Sequence, residues 1–213
     1  MIKENEGKEI IILGQGPGFE HCDYAEGKEV WTLNMGLMTA KKIDKLFMTD
    51  PIERRTAVQQ GFYINGNKKI NVTLEDIKKK IDEDGVDFIS AYSYPDIKNY
   101  RPYPIREVMS QLQLPYFVNT ITYMIAYAIW SGVKSIDIWG VNQATQSEFV
   151  FHKACVEFWV GLALGQGIPV HIHGGKSALI SNLDGVMYGY RMPYPSIKEH
   201  LDKDGELIFK PIK

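Results

Sequence analysis

In EFVFHKACVEFW, Glu148 and His152 stand four residues apart, so on a helix a carboxylate and an imidazole share one face. An imidazole with a pKa near 6.5 is partly neutral at physiological pH and can take a proton from a hydroxyl as a bond forms; the carboxylate can orient it. The same ring also suits packing beside Phe151 and Trp159. His171 and His173 alternate on a strand and so share a side, but spacing supplies no third metal ligand. Cys22 and Cys155 form no metal or redox spacing.

A second group of chemistry-bearing residues is the loop in IIILGQGPGFE, residues 10–20. Gly14, Gly16 and Gly18 permit close backbone approach and positive φ, Pro17 stiffens the turn, and Gln15 adds an amide. Such a loop can aim N–H groups at a phosphate, or can be a tight turn with no ligand. The dinucleotide pattern fails, because Phe19 stands where its third glycine belongs and Asn34 where an acidic ribose ligand belongs. The nucleoside-triphosphatase loop fails too, because Gly18 is followed by Phe19 and Glu20 rather than by Lys and a hydroxyl residue.

Asn34 and Asp50 each end an apolar run, at the strand terminus where open α/β sheets bind ligands. An asparagine there can donate to a phosphate or read a base edge. Asp50 either caps a helix begun by Pro51 or faces a ligand or Mg²⁺. The stretch AYSYPDIKNYRPYP (91–104) carries Tyr94, Arg101 and Tyr103, with Arg106 just beyond. Its rings could stack a base or sugar and its guanidinium groups pair a phosphate; it reads equally as an ordinary tyrosine-rich loop.

The elements that must position these groups alternate between short β-rich runs and longer amphipathic ones, the pattern of helices packed on both faces of a mostly parallel sheet. Strands are predicted at 9–14, 29–34, 45–50, 87–92, 135–142 and 168–173, and helices at about 73–84, 104–113, 119–132 and 147–166. Thr73 with Asp76 gives a capping-box spacing, and Gly165 with Gly167 suits a left-handed end to the last helix. Residues 51–116 are patterned less regularly and read as an insertion or lid within one domain spanning 1–213.

A length of 213 residues suits one core, and 45% hydrophobic with 23% charged residues is ordinary globular composition. No apolar run reaches a membrane-spanning length, and the polar start MIKENEGKEI has no signal-peptide form, so a soluble cytoplasmic protein without a membrane partner is expected. A net charge of −2 argues against a phosphate-backbone footprint. The lysines of IKKKI (77–81) lie among acidic residues and read as a solvated helix face.

The order of GQGPG, then W-x-L-N (Trp31, Leu33, Asn34), then F-x-T-D-P (Phe47, Thr49, Asp50, Pro51), then NTITYMIAYAIWSGVKSIDIWGVN (119–142) resembles the small bacterial lipooligosaccharide sialyltransferases. It is similar also to the motility-accessory and pterin-diphosphokinase-like Rossmann families. Reading frames carried by phages share it too, including the Tyr188-Gly189-Tyr190 segment. The resemblance covers about 1–51 and 117–180 and implies a three-layer Rossmann-like α/β fold. It implies that Gly14, Gln15, Gly16 and Asn34, in the loop completed by Pro17 and Gly18, hold a nucleotide. It further places Asn119 and Thr120 at a helix N-terminus against the donor, and makes His152 the catalytic base. The chain departs from the sialyltransferases at Gln15 for asparagine, Gly18 for serine and Asp50 for asparagine.

The expectation is a nucleotide-dependent, glycosyltransferase-like transferase with a nucleotide or nucleotide-sugar as ligand. The alternatives are a Mg²⁺-dependent diphosphokinase of a pterin-like alcohol and a non-catalytic nucleotide-binding or sequestering protein. No cofactor is firmly implied, Mg²⁺ at Asp50 stays open, nucleic acid enters only as the carrier of a modified-base acceptor, and a homo-oligomer is open.

Overall fold

The computed structural model describes residues 4–54, 62–64, 68–70, 72–143, 149–173, 179–180, 186–187 and 192–193. Two compact units divide the chain, 1–179 and 180–213; in the second, β10 (Val186–Met187) and β11 (Met192–Pro193) pair antiparallel.

The first unit is built on a seven-stranded sheet in which every pairing is parallel. Its strands are β1 (Glu9–Leu13), β2 (Glu29–Leu33), β3 (Lys45–Met48), β6 (Asp87–Ser90), β7 (Tyr100–Pro102), β8 (Ser135–Trp139) and β9 (Val170–Ile172), in the order β7-β6-β3-β2-β1-β8-β9. A separate antiparallel pair joins β4 (Phe62–Ile64) to β5 (Lys68–Ile70). The helices are α1 (Leu74–Glu83), α2 (Ile105–Leu112), α3 (Thr120–Ser131) and α4 (Phe149–Gly165).

Both faces of the sheet are covered, which is why its central strands are unbroken apolar runs. Ile10, Ile12, Trp31, Phe47, Ile89, Ile136 and Ile138 point to one face and pack with α2, α3 and α4. Leu46, Met48 and Phe88 point to the other, where α1 brings Ile77 and Ile81. Thr73 closes both arms of its capping box: its hydroxyl accepts from Asp76 N–H at 3.1 Å and its N–H donates to the Asp76 carboxylate at 2.8 Å. After α4 the left-handed residue is Gly167, with φ of 79°.

Within 51–116, the stretch expected to form an insertion or lid, α1, β6, β7 and α2 are regular elements and β6 and β7 extend the main sheet. Strand β7 was not anticipated: only three residues long, it is an edge strand whose Arg101 and Pro102 are exposed, so it has no apolar alternation to detect. The expected strands overran their carboxyl ends, since residues 14, 34, 49–50 and 140–142 have already left the ladder. Those overruns share one edge of the sheet. Strand β1 pairs with β2 on one side and β8 on the other, so the chain reverses its winding direction there and a crevice opens beyond the carboxyl ends.

Candidate functional site

At the crevice the loop after β1 is held tightly to the exit of β8. Gly14 N–H donates to Trp139 O at 2.8 Å and Gly16 N–H to Gly140 O at 2.7 Å. A Cβ on Gly14 would lie 2.3 Å from Gly140 O, and one on Gly16 2.8 Å from the same atom, so no larger residue fits at either position. Gly18, at φ 96°, gives its N–H to the Glu20 carboxylate at 3.1 Å. Of the two readings open for this loop, the internal bonds of all three glycine N–H groups favour the tight turn, in which the glycines serve close backbone approach. Gln15 and Pro17 still line the crevice beside Gly14 and Gly16.

Asn34 follows β2 in the left-handed region, at φ 51°, and opens a 3-10 turn (Asn34–Met38). That turn is fixed from below, because Thr32 Oγ1 donates to Leu13 O at 2.9 Å and fills the space where a Cβ of Gly36 would lie, 2.1 Å away. Asn119 caps α3 by accepting the Thr122 N–H on its Oδ1 at 3.0 Å, which leaves its Nδ2 as the free end of the amide. The first turn of α3 carries the positive end of the helix dipole. Thr120 shares a hydrogen bond of 2.8 Å with Thr49 at the end of β3, tying the helix start to the sheet.

Two adjoining cavities result. One, of about 470 Å³, is walled by the glycine loop and by Gly140, Val141 and Asn142. The other, of about 680 Å³, is walled by Asn34, Thr49, Asp50, Phe117, Asn119, Thr120, Tyr123 and His152. Leu33, Ile121 and Gln143 belong to both walls. The first is mainly apolar; the second joins a helix N-terminus to an exposed carboxylate and a half-buried imidazole.

Among the described residues, the buried side-chain nitrogen and oxygen atoms without a hydrogen-bond partner are Asn34 Oδ1, Asn119 Nδ2, Asn142 Oδ1 and Gln143 Oε1, and all four residues line these cavities. A buried polar atom left unpaired costs about 1–3 kcal/mol, so these four side chains hold hydrogen-bonding capacity that the packed protein does not use, all of it at the crevice. Gln143, like Asn34, is held at a positive φ, 51°.

The remaining sequence candidates lie elsewhere. Arg101 points to the opposite edge of the sheet, where it pairs with Glu4 at 2.8 Å and with Asp87, the first residue of β6, at 3.2 Å. Tyr103 is buried and donates to Tyr123 O at 3.0 Å; burial pushes its pKa far up. Tyr94, also raised chiefly by burial, accepts from Ile52 N–H and donates to Glu53. Arg106 is exposed on α2 and outside both walls. Glu148 and the Tyr188–Tyr190 segment fall outside the described residues.

His173 stacks on Trp139 with ring centroids 4.3 Å apart, and its Nε2 lies 2.6 Å from Asp137, which also binds Lys28 at 2.5 Å. Burial raises the Asp137 pKa, but the hydrogen bonds to Lys28 and His173 outweigh it and the net shift is downward. No group of three or more His, Cys, Asp or Glu suited to a metal ion occurs among the described residues. Nor is any described helix long and apolar enough to cross a membrane.

Sequence reasoning missed Asn142 and Gln143, which were read as the end and aftermath of a strand. The signal available was the GVNQ run itself, a glycine followed by two amides at a strand exit.

No family model matches the chain, and no curated protein does. Among solved structures it is similar to the sialyltransferase CstII from Campylobacter jejuni in complex with a substrate analogue, cytidine-5′-monophosphate, with 14% identity and a TM-score of 0.51 over 82% of this chain and 83% of that one. It is also similar to the monofunctional α-2,3-sialyltransferase Cst-I from Campylobacter jejuni, with 14% identity and a TM-score of 0.51 over 84% and 82%. At these identities the likeness establishes a shared Rossmann-like α/β fold, built on the parallel sheet whose switch point carries the crevice.

Proposed function

We propose that the chain is a nucleotide-dependent transferase of glycosyltransferase type, with a nucleotide-linked donor bound across the two cavities. The observation that carries this reading is the convergence of four unpaired buried amide atoms on the switch-point crevice. The shared fold with sialyltransferases solved with cytidine-5′-monophosphate supports it.

In this reading the base lies against the glycine loop, Val141 and Asn142 in the apolar cavity. The phosphate meets the N-terminus of α3, where the positive end of the helix dipole and Asn119 Nδ2 stabilise negative charge. The transferred group then occupies the second cavity. His152 takes the proton of the acceptor hydroxyl as its oxygen bonds to the donor carbon, the bond from that carbon to the phosphate oxygen breaks, and the nucleotide leaves with the electron pair. Lysine and arginine are absent from the described walls, so charge on the leaving group is met by the helix terminus and neutral amides.

A thermal-shift panel of nucleotides and nucleotide-sugars, with and without Mg²⁺, tests the reading on wild type and Asn34→Ala. A ligand at about a hundred times its dissociation constant adds roughly 2.7 kcal/mol of stability. A shift confined to one nucleotide class and lost in Asn34→Ala supports the site. No shift with any nucleotide rejects it.

A further inference from the structure

Helix α4 is apolar nearly all the way round, and a helix of that composition normally lies buried on every side. Its inner face does so, through Cys155, Val156, Trp159, Val160 and Ala163. Its outer face is nevertheless exposed at Phe151, Ala154, Phe158, Gly161 and Gly165, spaced three, four, three and four residues apart as a single stripe. Phe151 is 74% exposed and Phe158 39%. Tyr116, 40% exposed, extends the patch by packing edge-on against Phe158 with centroids 5.5 Å apart, and Leu164, 48% exposed, lies beside Gly165 on the same helix.

We propose that this stripe is the contact of a homodimer in which α4 packs antiparallel on α4 of a second copy. Shape, charge and area point to a second copy rather than another occupant. Bulky and small residues follow one another so that the stripe fits itself: with a two-fold axis near Val156, Phe151 faces the second copy's Gly161, and Ala154 faces the second copy's Phe158. A Cβ at Gly161 would meet nothing within 4 Å, so this position leaves open space for the Phe151 ring. Lys153 and Glu157 pair at 3.7 Å along one flank of the stripe. The same two-fold axis keeps that flank on one side and reverses its direction, bringing Lys153 of each copy alongside Glu157 of the other. An isologous contact needs this self-complementarity. Taking ~200 Å² for a full aromatic side chain, the patch exposes roughly 500 Å² per copy, large for a monomer. Two such patches together bring about 1,000 Å², the least expected of a specific interface.

The test is sedimentation velocity on the full chain between 1 and about 100 μM, with far-UV circular dichroism as the folding control. The expected wild-type species has twice the 24.3 kDa mass of one chain. The variant carrying Phe151→Glu and Phe158→Glu should remain folded and be a monomer, its dissociation constant raised at least ~30-fold by loss of the central rings. A wild type that stays monomeric at 100 μM overturns the proposal, as does a folded double variant that still dimerises. If the double variant does not fold, the flanking charges decide: Lys153→Glu should weaken association, and adding Glu157→Lys should restore it. Association unaffected by Lys153→Glu counts against the contact.

Discussion

Gly16 and Gly140 approach so closely that the N–H of one donates to the carbonyl of the other at 2.7 Å, and a Cβ on Gly16 would stand 2.8 Å from that carbonyl oxygen. The loop after β1 and the exit of β8 thus form one rigid wall, and the wall depends on the absence of side chains. Gly14→Ala should cost about 1–3 kcal/mol, because its Cβ would meet backbone that has nowhere to go. For a chain of this size that is a fall in melting temperature of roughly 2–12 °C, read by calorimetry. An unchanged melting temperature would mean that the two loops yield to each other readily.

The unpaired amides carry an expectation of opposite sign. Asn142→Leu removes a buried oxygen that has no partner, so the unliganded protein should be unchanged or up to about 1–2 kcal/mol more stable. The same substitution should abolish the thermal shift produced by a nucleotide. Gains in stability that accompany losses of binding distinguish a ligand site from a structural network, in which Asn142→Leu would lower both.

His152→Ala should reduce turnover by at least ~100-fold while leaving the nucleotide dissociation constant within about threefold, because the ring acts on the acceptor proton. Single-turnover rates and isothermal titration on the same preparation separate the two quantities. Equal losses in both would assign the ring to ligand binding and remove it from the chemistry.

Asp137 titrates below the ordinary carboxylate range when folded, so its contribution to stability is present above its unfolded pKa, about 3.9, and is lost as pH falls through the lower folded value. Lys28, raised chiefly by its hydrogen bond to Asp137, contributes stability that is lost only as pH rises above the usual lysine range. The gap in denaturation midpoint between wild type and Asp137→Asn should therefore be present at neutral pH and shrink as pH falls below about 3.9 and through the lower folded value. A gap that widens in acid would contradict the pairing.

Much of this fold was legible because burial on both faces of a parallel sheet leaves a strong trace. EIIIL, KLFM and SIDIW are short apolar runs ending in turn residues, and Asn119 and Thr73 are recognisable caps. What escaped notice had a weaker trace. Strand β7 is half polar, and among the described strands it pairs with β6 alone. Tyr94, Tyr103 and Arg101 were attractive as ligand contacts because they are amphipathic, yet each satisfies its polar end inside the protein, with Glu53, the Tyr123 carbonyl, and Glu4 with Asp87. For Asn142 and Gln143 the reverse holds: their distinction is a missing partner, a property of the packed structure that residue spacing does not encode.

Helix α3 runs from the crevice at Asn119 to the far edge of the sheet, where Asn5 Nδ2 donates to Ser131 Oγ at 2.9 Å, and nearly every residue between is buried. It is an internal post braced along its whole length, and its open end is the phosphate-facing terminus of the proposed site. A ligand arriving there meets amides already aligned and immobile, so little ordering entropy opposes its binding. The backbone N–H groups from Met124 to Ser131 should accordingly be among the slowest in the chain to exchange with deuterium, whether or not the crevice is filled.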